Sequence, residues 1–166
     1  GSGKSTFSQQ LAAKLNYPYL ELDAMYWKPY WGESSDEELF DKLEQAVSQD
    51  TWVLDGNYNR TVPIKWSNVD VVIWIDYSLP RTFYQAIKRA ITRIVVAEDL
   101  WDKPGTKETF KKTFLSKDSI LLWTLKTHKS NRARYTKMFS LPEYSHISFV
   151  RIPNPKAAKA YLNNLT

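Results

Sequence analysis

Lys4 and Ser5 stand directly behind Gly1-Ser2-Gly3 and ahead of Thr6, which is the second half of the pattern G-x-x-x-x-G-K-[ST]. Residues of these types at this spacing hold phosphate. Glycines let backbone N–H groups approach phosphate oxygens, a lysine ammonium neutralises the β and γ phosphates of a nucleoside triphosphate, and a serine hydroxyl ligates Mg²⁺. Such a loop must open a helix, whose N-terminus adds positive potential. The first Gly of the pattern would precede Gly1, and the chain does not start with Met. The natural product is therefore expected to extend upstream by about ten residues, enough for a short strand and the rest of the loop.

Other residues of chemical interest lie downstream. Asp55 and Asp76 each close an apolar, strand-like run, so either can serve as the second metal carboxylate or simply as a turn acid. Arg89 and Arg93 are four apart and project from one helix face, a row that Arg81 and Gln85 extend. Asp23 is followed by Tyr26, Trp27, Tyr30 and Trp31. An acid there can orient or deprotonate an acceptor hydroxyl, and the rings can stack on a base or a sugar, or else cover the core.

The elements that must position these groups are visible in the hydrophobic pattern. Phe7, Leu11 and Leu15 with Ala12 form a helical stripe that stops at Asn16-Tyr17-Pro18. Tyr17–Leu22 reads as a strand ending at Asp23. Ser35–Gln49 reads as a helix opened by the capping box Ser35-Asp36-Glu37-Glu38. Thr51–Leu54 and Val69–Ile75 read as strands ending at Asp55 and Asp76, and Arg81–Ala97 as a helix with Phe83, Ala86, Ile87, Ala90, Ile91, Ile94 and Val95 facing the core. A loop over Trp101–Gly105, helices over Thr106–Leu115 and Asp118–Phe139, a strand over His146–Arg151 and a C-terminal helix complete the chain. Strands alternating with helices predict an α/β fold, a parallel sheet with helices on both faces and ligands at the carboxyl ends of the strands.

Composition bounds the rest. A chain of 166 residues with 43% hydrophobic content fits one domain, expected to span 1–166. No apolar run reaches the length of a membrane span, and the absence of cysteine excludes disulfides and thiolate metal sites. These features are compatible with a reducing cytosol, and a cytoplasmic location is expected. The net charge of +5 is unevenly spread: residues 21–50 hold nine acids against two lysines, and residues 103–137 hold ten bases against two acids. The basic block is expected to attract phosphates.

The opening hexapeptide, Asp55-Gly56 with Arg60, and the Arg89/Arg93 pair resemble the adenylate kinase-like branch of P-loop kinases. The stretches "LDAMYWKP", "VLDGNYNRT", "EDLW" and "FLSKDSILLWTLKTHKSNRARY" look more closely like the bacterial adenylate kinase-related group labelled topology modulation proteins. The resemblance implies a three-layer P-loop NTPase fold of strand order 2-3-1-4-5, in which the strand preceding Gly1 would fill the slot between those ending at Asp55 and Asp76. It also implies an acceptor-side insertion over 24–50 and a helical lid over 98–140. It favours Asp55 over Asp76 for the metal, with Ser5, and assigns Arg89 to adenine, Arg93 to phosphate and Arg60 to an acceptor phosphate. Lys126, Lys129, Arg132 and Arg134 are the lid's candidate charge stabilisers, Arg132 first among them. His128, one turn before Arg132, is expected to pack or cap. No arginine lies between Asp23 and Asp50, where nucleoside monophosphate kinases place one, so Asp23, Trp27 and Arg60 are expected to hold a different acceptor.

The expected activity is transfer of the γ-phosphate of ATP–Mg²⁺ to a nucleotide or a small hydroxyl-bearing metabolite by a monomeric kinase. Lys4, Asp55, Arg93 and Arg132 carry catalysis, and Gly1, Ser2, Gly3, Lys4, Ser5, Thr6 and Arg89 bind the nucleotide. A nucleic-acid-associated ATPase and a non-catalytic nucleotide-binding module are the competing readings; no nucleic-acid-reading motif favours the former.

Overall fold

Gly3 has φ 88°, a left-handed conformation that suits glycine, and it turns the chain into helix α1 (Lys4–Leu15). In this computed structural model, residues 2–108 and 120–165 are described. The structure of Gly1, and most of the helix expected over Thr106–Leu115, lie outside them; residues 106–108 are not helical. Helix α1 buries Phe7, Leu11 and Ala12, as its periodicity requires, and ends at Asn16, whose φ of 55° lets its N–H reach back to the Ala12 and Ala13 carbonyls.

The strand expected over Tyr17–Leu22 is shorter, β1 (Tyr19–Glu21), and the chain then coils into a five-residue helix, α2 (Leu22–Tyr26). Asp23 therefore sits in the first turn of a helix, not at a strand end. Pro18 has no N–H for a ladder, and Leu, Ala and Met in the following turn favour helix. A two-residue antiparallel ladder follows, β2 (Trp27–Lys28) with β3 (Gly32–Glu33), which pattern reading did not find. Helix α3 (Asp36–Val47) bears out the capping box: Ser35 Oγ accepts from the Glu38 N–H at 3.1 Å and Glu38 returns the bond to the Ser35 N–H at 3.0 Å. Leu39 and Leu43 of α3 and Leu22 of α2 are completely buried together.

Strand β4 (Val53–Asp55) runs parallel to β1, with Glu21 opposite Asp55. After the four-residue helix α4 (Val62–Lys65), strand β5 (Val71–Ile75) runs parallel to β6 (Ser148–Ile152), in register from Val71 with Ser148 to Ile75 with Ile152. The last strand is thus displaced from the expected His146–Arg151, because Pro142–Tyr144 and the turn after it use up the preceding residues. Between β5 and β6 lie α5 (Leu79–Val96) and α6 (Ile120–Met138), and α7 (Pro155–Asn164) ends the chain, capped by the Asn154 side chain. Within the expected loop, Leu100–Asp102 forms one 3₁₀ turn.

The core stripe expected on α5 holds only in part. Thr82, Ala86 and Ala90 are buried, but Ile91 and Val95 are exposed, at 51% and 77%. Small buried residues let the first half of α5 approach its neighbours closely, whereas its last turns are left open to solvent.

Among the described residues the architecture is mixed α/β, with two short parallel pairs, β1 with β4 and β5 with β6. Each of β4 and β5 is paired on one edge only. Between them lies a cavity of about 1440 Å³, its apolar part lined by Phe7, Leu11, Val53, Leu54, Val72 and Ile73. Helix α1 joins the two pairs: Phe7 and Leu11 pack in one cluster with Ile75, Ile152 and Val53.

Gly56 has a packing role of its own. Its φ is 153°, and a Cβ placed there would stand 2.5 Å from the Cβ of the fully buried Leu22. Gly56→Ala is expected to cost about 2–4 kcal/mol of stability, from overpacking plus backbone strain, measured by chemical denaturation.

Candidate functional site

The carboxyl ends of β1 and β4, the start of α1 and the start of α2 meet at one end of the cavity, which Ser2, Lys4, Ser5, Asp23 and Asp55 all line. Tyr19 ties the candidate phosphate loop to the strand acid. Its hydroxyl donates to Asp55 Oδ2 at 3.3 Å and also engages Ser5, so the candidate metal hydroxyl and the candidate metal carboxylate share one phenol. Burial, then the charges of Asp55 and Glu21, raise the Tyr19 pKa well above the ordinary phenol value. Tyr19 therefore stays protonated and donates to the Asp55 carboxyl oxygen.

Lys4 forms no ion pair among the described residues, although it stands at the positive end of a helix with no acid in its first turn. That combination is electrostatically uncompensated and suits an anion. Gly3 leaves room beside it: an added Cβ would only just touch Gln85 and Tyr77, at 3.7 Å. The described residues hold no cluster of three or more acids or histidines fit for a metal. A Mg²⁺ here fits one hydroxyl, one carboxylate and phosphate oxygens, the sparse protein ligation typical of that ion.

The two candidate metal acids differ in their surroundings. Asp55 is 5% exposed and faces the Tyr19 hydroxyl. Asp76 is engaged by arginines instead: Arg151 approaches one of its oxygens through Nε at 2.7 Å and Nη2 at 2.5 Å, and Arg132 Nε lies 3.3 Å from the same oxygen. A carboxylate so neutralised has little left to offer a cation. Arg132, expected to stabilise transferred charge, is thus seen in an ion pair at the end of β5. His128, on the same helix, donates from Nε2 to the Tyr77 carbonyl at 3.1 Å, a contact that packs α6 against the end of β5 and caps no helix. Aromatic packing of Trp74 on Tyr135 and of Phe139 on Phe149 holds the second half of α6 to β5 and β6. Lys126 and Lys129 are exposed.

On the candidate acceptor side, the Tyr58 hydroxyl donates to Asp23 Oδ1 at 2.8 Å, which orients the carboxylate. Burial, then the Asp23 charge, raise the Tyr58 pKa. Trp27 lies edge-on to Trp31, and Trp31 edge-on to Trp101, with ring centres 5.3 and 6.2 Å apart. Trp101 Nε1 donates to Glu21 Oε1 at 2.9 Å, and Lys103 donates to the Ala24 and Trp27 carbonyls. The segment after α5 is thereby clasped to the segment after β1. Arg60 reaches Asp36 at 3.1 Å and lies over the rings of Tyr26 and Tyr58.

Arg93 pairs with Glu108 at 2.7 Å. Arg89 lines the open cavity and is exposed to solvent; crowding by the protein around it, then Arg93, lower its pKa while the carboxylates of Glu108, Asp23 and Glu21 oppose the shift. A guanidinium keeps its charge through such shifts. Arg93 is therefore paired with an acid of the segment after α5, and Arg89 feels that acid together with Asp23 and Glu21. Thr6 is exposed at the edge of the loop.

Pattern reading missed Tyr19, Glu21, Tyr58, Lys65 and Trp101. The signal available was weak: a tyrosine two residues before Glu21 and another three residues after Asp55 carry no local mark of function.

The chain is similar to a shikimate kinase from Synechococcus sp. (strain RCC307), 38% identical over an aligned length of 90, with 46% of each protein covered. It thus spans about half the length of the curated relative it matches. No family model and no solved structure matches it.

Proposed function

We propose that this chain is an ATP-dependent phosphotransferase that moves the γ-phosphate of ATP–Mg²⁺ to a hydroxyl of a nucleotide or small metabolite. The observation that carries the reading is the meeting of Ser5 and Asp55 at the Tyr19 hydroxyl, with Lys4, Asp23 and Tyr58 lining the same cavity. The likeness to a shikimate kinase supports an ATP-dependent P-loop kinase, by fold and reaction class. The two parallel strand pairs are read as halves of one three-layer sheet of order 2-3-1-4-5, within a single domain whose acceptor-side insertion is 24–50 and whose lid is 98–140.

When bound, ATP–Mg²⁺ supplies the transferable phosphoryl group. The residues of the chain do the rest by position and charge. Lys4 and the N–H groups of the loop and α1 hold the phosphates. Ser5 ligates the metal, and Asp55 holds it through water. Asp23, oriented by Tyr58, accepts the acceptor hydroxyl's proton as that oxygen bonds to the γ-phosphorus and the bond to the β-phosphate oxygen breaks. Arg93 and Arg132 contribute positive charge once each leaves its acid, Glu108 or Asp76. Arg89 flanks the nucleotide, and Trp27 and Arg60 hold the acceptor.

The test is incubation of the full chain with γ-labelled ATP, Mg²⁺ and a panel of nucleotides, nucleosides, polyols and cyclic hydroxy acids. Label recovered on a small acceptor supports the reading. Hydrolysis that appears only with DNA or RNA contradicts it and favours a nucleic-acid-associated ATPase.

A further inference from the structure

Lys65, the last residue of α4, is 7% exposed and lines the same cavity as Lys4, Ser5 and Asp55. Its ammonium has three N–H donors. A single acceptor is seen, the Tyr58 carbonyl at 3.2 Å, and no carboxylate pairs with it among the described residues. The charged groups that act on it are both cations, Arg134 of α6 and Lys4. Arg134 has a deficit of its own, since its Nε is buried without a hydrogen-bond partner. Three cations with unused donors and no anion among them cannot attract one another. Lys4 and Lys65 both line the cavity, Arg134 adds its charge from α6, and no carboxylate forms an ion pair with any of the three among the described residues.

The position of Lys65 narrows the ligand. Tyr58 links it to the acceptor side, because the carbonyl that accepts from Lys65 and the hydroxyl that donates to Asp23 belong to one residue. Lys4 links it to the donor side. We infer that Lys65 is a phosphate-contacting residue, completing with Lys4 and Arg134 a subsite for a phosphate dianion between the donor loop and Asp23. This depends on the reading of Lys4 as a phosphate ligand, but assigns a residue that neither the loop motif nor the lid arginines include.

Protonation supports the same geometry. Burial, then Arg134 and Lys4, lower the Lys65 pKa to about 8. A phosphate settling among the three cations reverses this, since an opposite charge at short range raises a lysine pKa by roughly one to three units. Ligand binding at pH 8.5 is therefore accompanied by uptake of about half a proton or more per site.

The experiment is calorimetric titration of the full chain at pH 8.5, in two buffers of different ionisation enthalpy, with ATP–Mg²⁺ and separately with inorganic phosphate in the presence of ADP–Mg²⁺. The expected results are proton uptake in the unmodified protein, its disappearance in Lys65→Met, and affinity for at least one titrant lowered by roughly tenfold or more. Lys65→Arg restores affinity without the uptake. Loss confined to ATP places the γ-phosphate in the subsite; loss confined to phosphate places there the transferred group or a phosphate carried by the acceptor. Absence of uptake in the unmodified protein overturns the inference even if the variants do not fold, as do unchanged affinities for both titrants in Lys65→Met. Lys4→Ala, titrated in parallel, separates the two levels. If it abolishes ATP binding while Lys65→Met has no effect, only the subsite is lost; if it leaves ATP binding intact, the kinase reading itself fails.

Discussion

Lys4→Ala lowers the rate of phosphoryl transfer by a factor of roughly 10²–10³ or more, the range found when one preorganised charge donor is removed from a developing anion. Lys4 has no carboxylate partner among the described residues, and its charge acts unfavourably on Lys65. Its removal therefore breaks no ion pair and relieves a repulsion. The thermal midpoint of Lys4→Ala without ligand is expected to be equal to or above that of the unmodified chain, while activity collapses. A lysine with a structural role would show the reverse, a lower midpoint with activity lost in proportion. Differential scanning fluorimetry and a γ-phosphate transfer assay on the same preparations distinguish the two.

Asp23→Asn is expected to reduce transfer by roughly 10²–10⁴, the contribution typical of a positioned general base, while ATP affinity changes little. Asparagine keeps an oxygen to accept from the Tyr58 hydroxyl, now at 2.8 Å from Asp23 Oδ1, so the start of α2 retains its shape. What is lost is the capacity to take a proton. Measured kcat falls and the dissociation constant for ATP stays constant. Equal loss of both would place Asp23 on the donor side. Phe substitution of Tyr58 provides a graded comparison, since it leaves the carboxylate intact but unoriented.

The parts of the fold visible in sequence are those governed by neighbours in the chain. The Phe7, Leu11 stripe, the Ser35 and Glu38 capping box and the β-branched run of β5 are each settled within one or two turns of backbone. The positions of Ser5 at a helix start and of Asp55 at a strand end were likewise legible, the first from the loop pattern and the second from the apolar run that it closes. The helix at Leu22–Tyr26 was not, since the same residues suit a buried strand, and the choice depends on Leu22 packing under Gly56 from a separate strand. The α5 stripe misleads for the opposite reason: its periodicity continues past the point where neighbours cover it, leaving Val95 in solvent.

Long-range polar contacts were the least visible. Nothing local in Tyr19 announces that its hydroxyl lies between Ser5 and Asp55, and nothing in Trp101 that it bonds Glu21, eighty positions away in the chain. Lys65 was hidden because a lysine after Val-Pro-Ile reads as the solvated end of a short helix. Its burial, with the charge of Arg134 acting on it from a helix distant in sequence, arises only in the folded chain. The basic block over residues 103–137 does supply the Arg134 charge near Lys65, but it also spends Arg132 on Asp76. Charge counting alone does not separate these two uses.

The most direct measurement is a crystal structure of the full chain with Mg²⁺ and an ATP analogue whose γ-phosphate cannot be transferred. The account predicts phosphate oxygens within about 3 Å of Lys4 Nζ, the metal on Ser5 Oγ, and the Asp55 carboxylate one water away from it. A nucleotide bound elsewhere, or a metal held by Asp76 with Lys4 left in solvent, would contradict it.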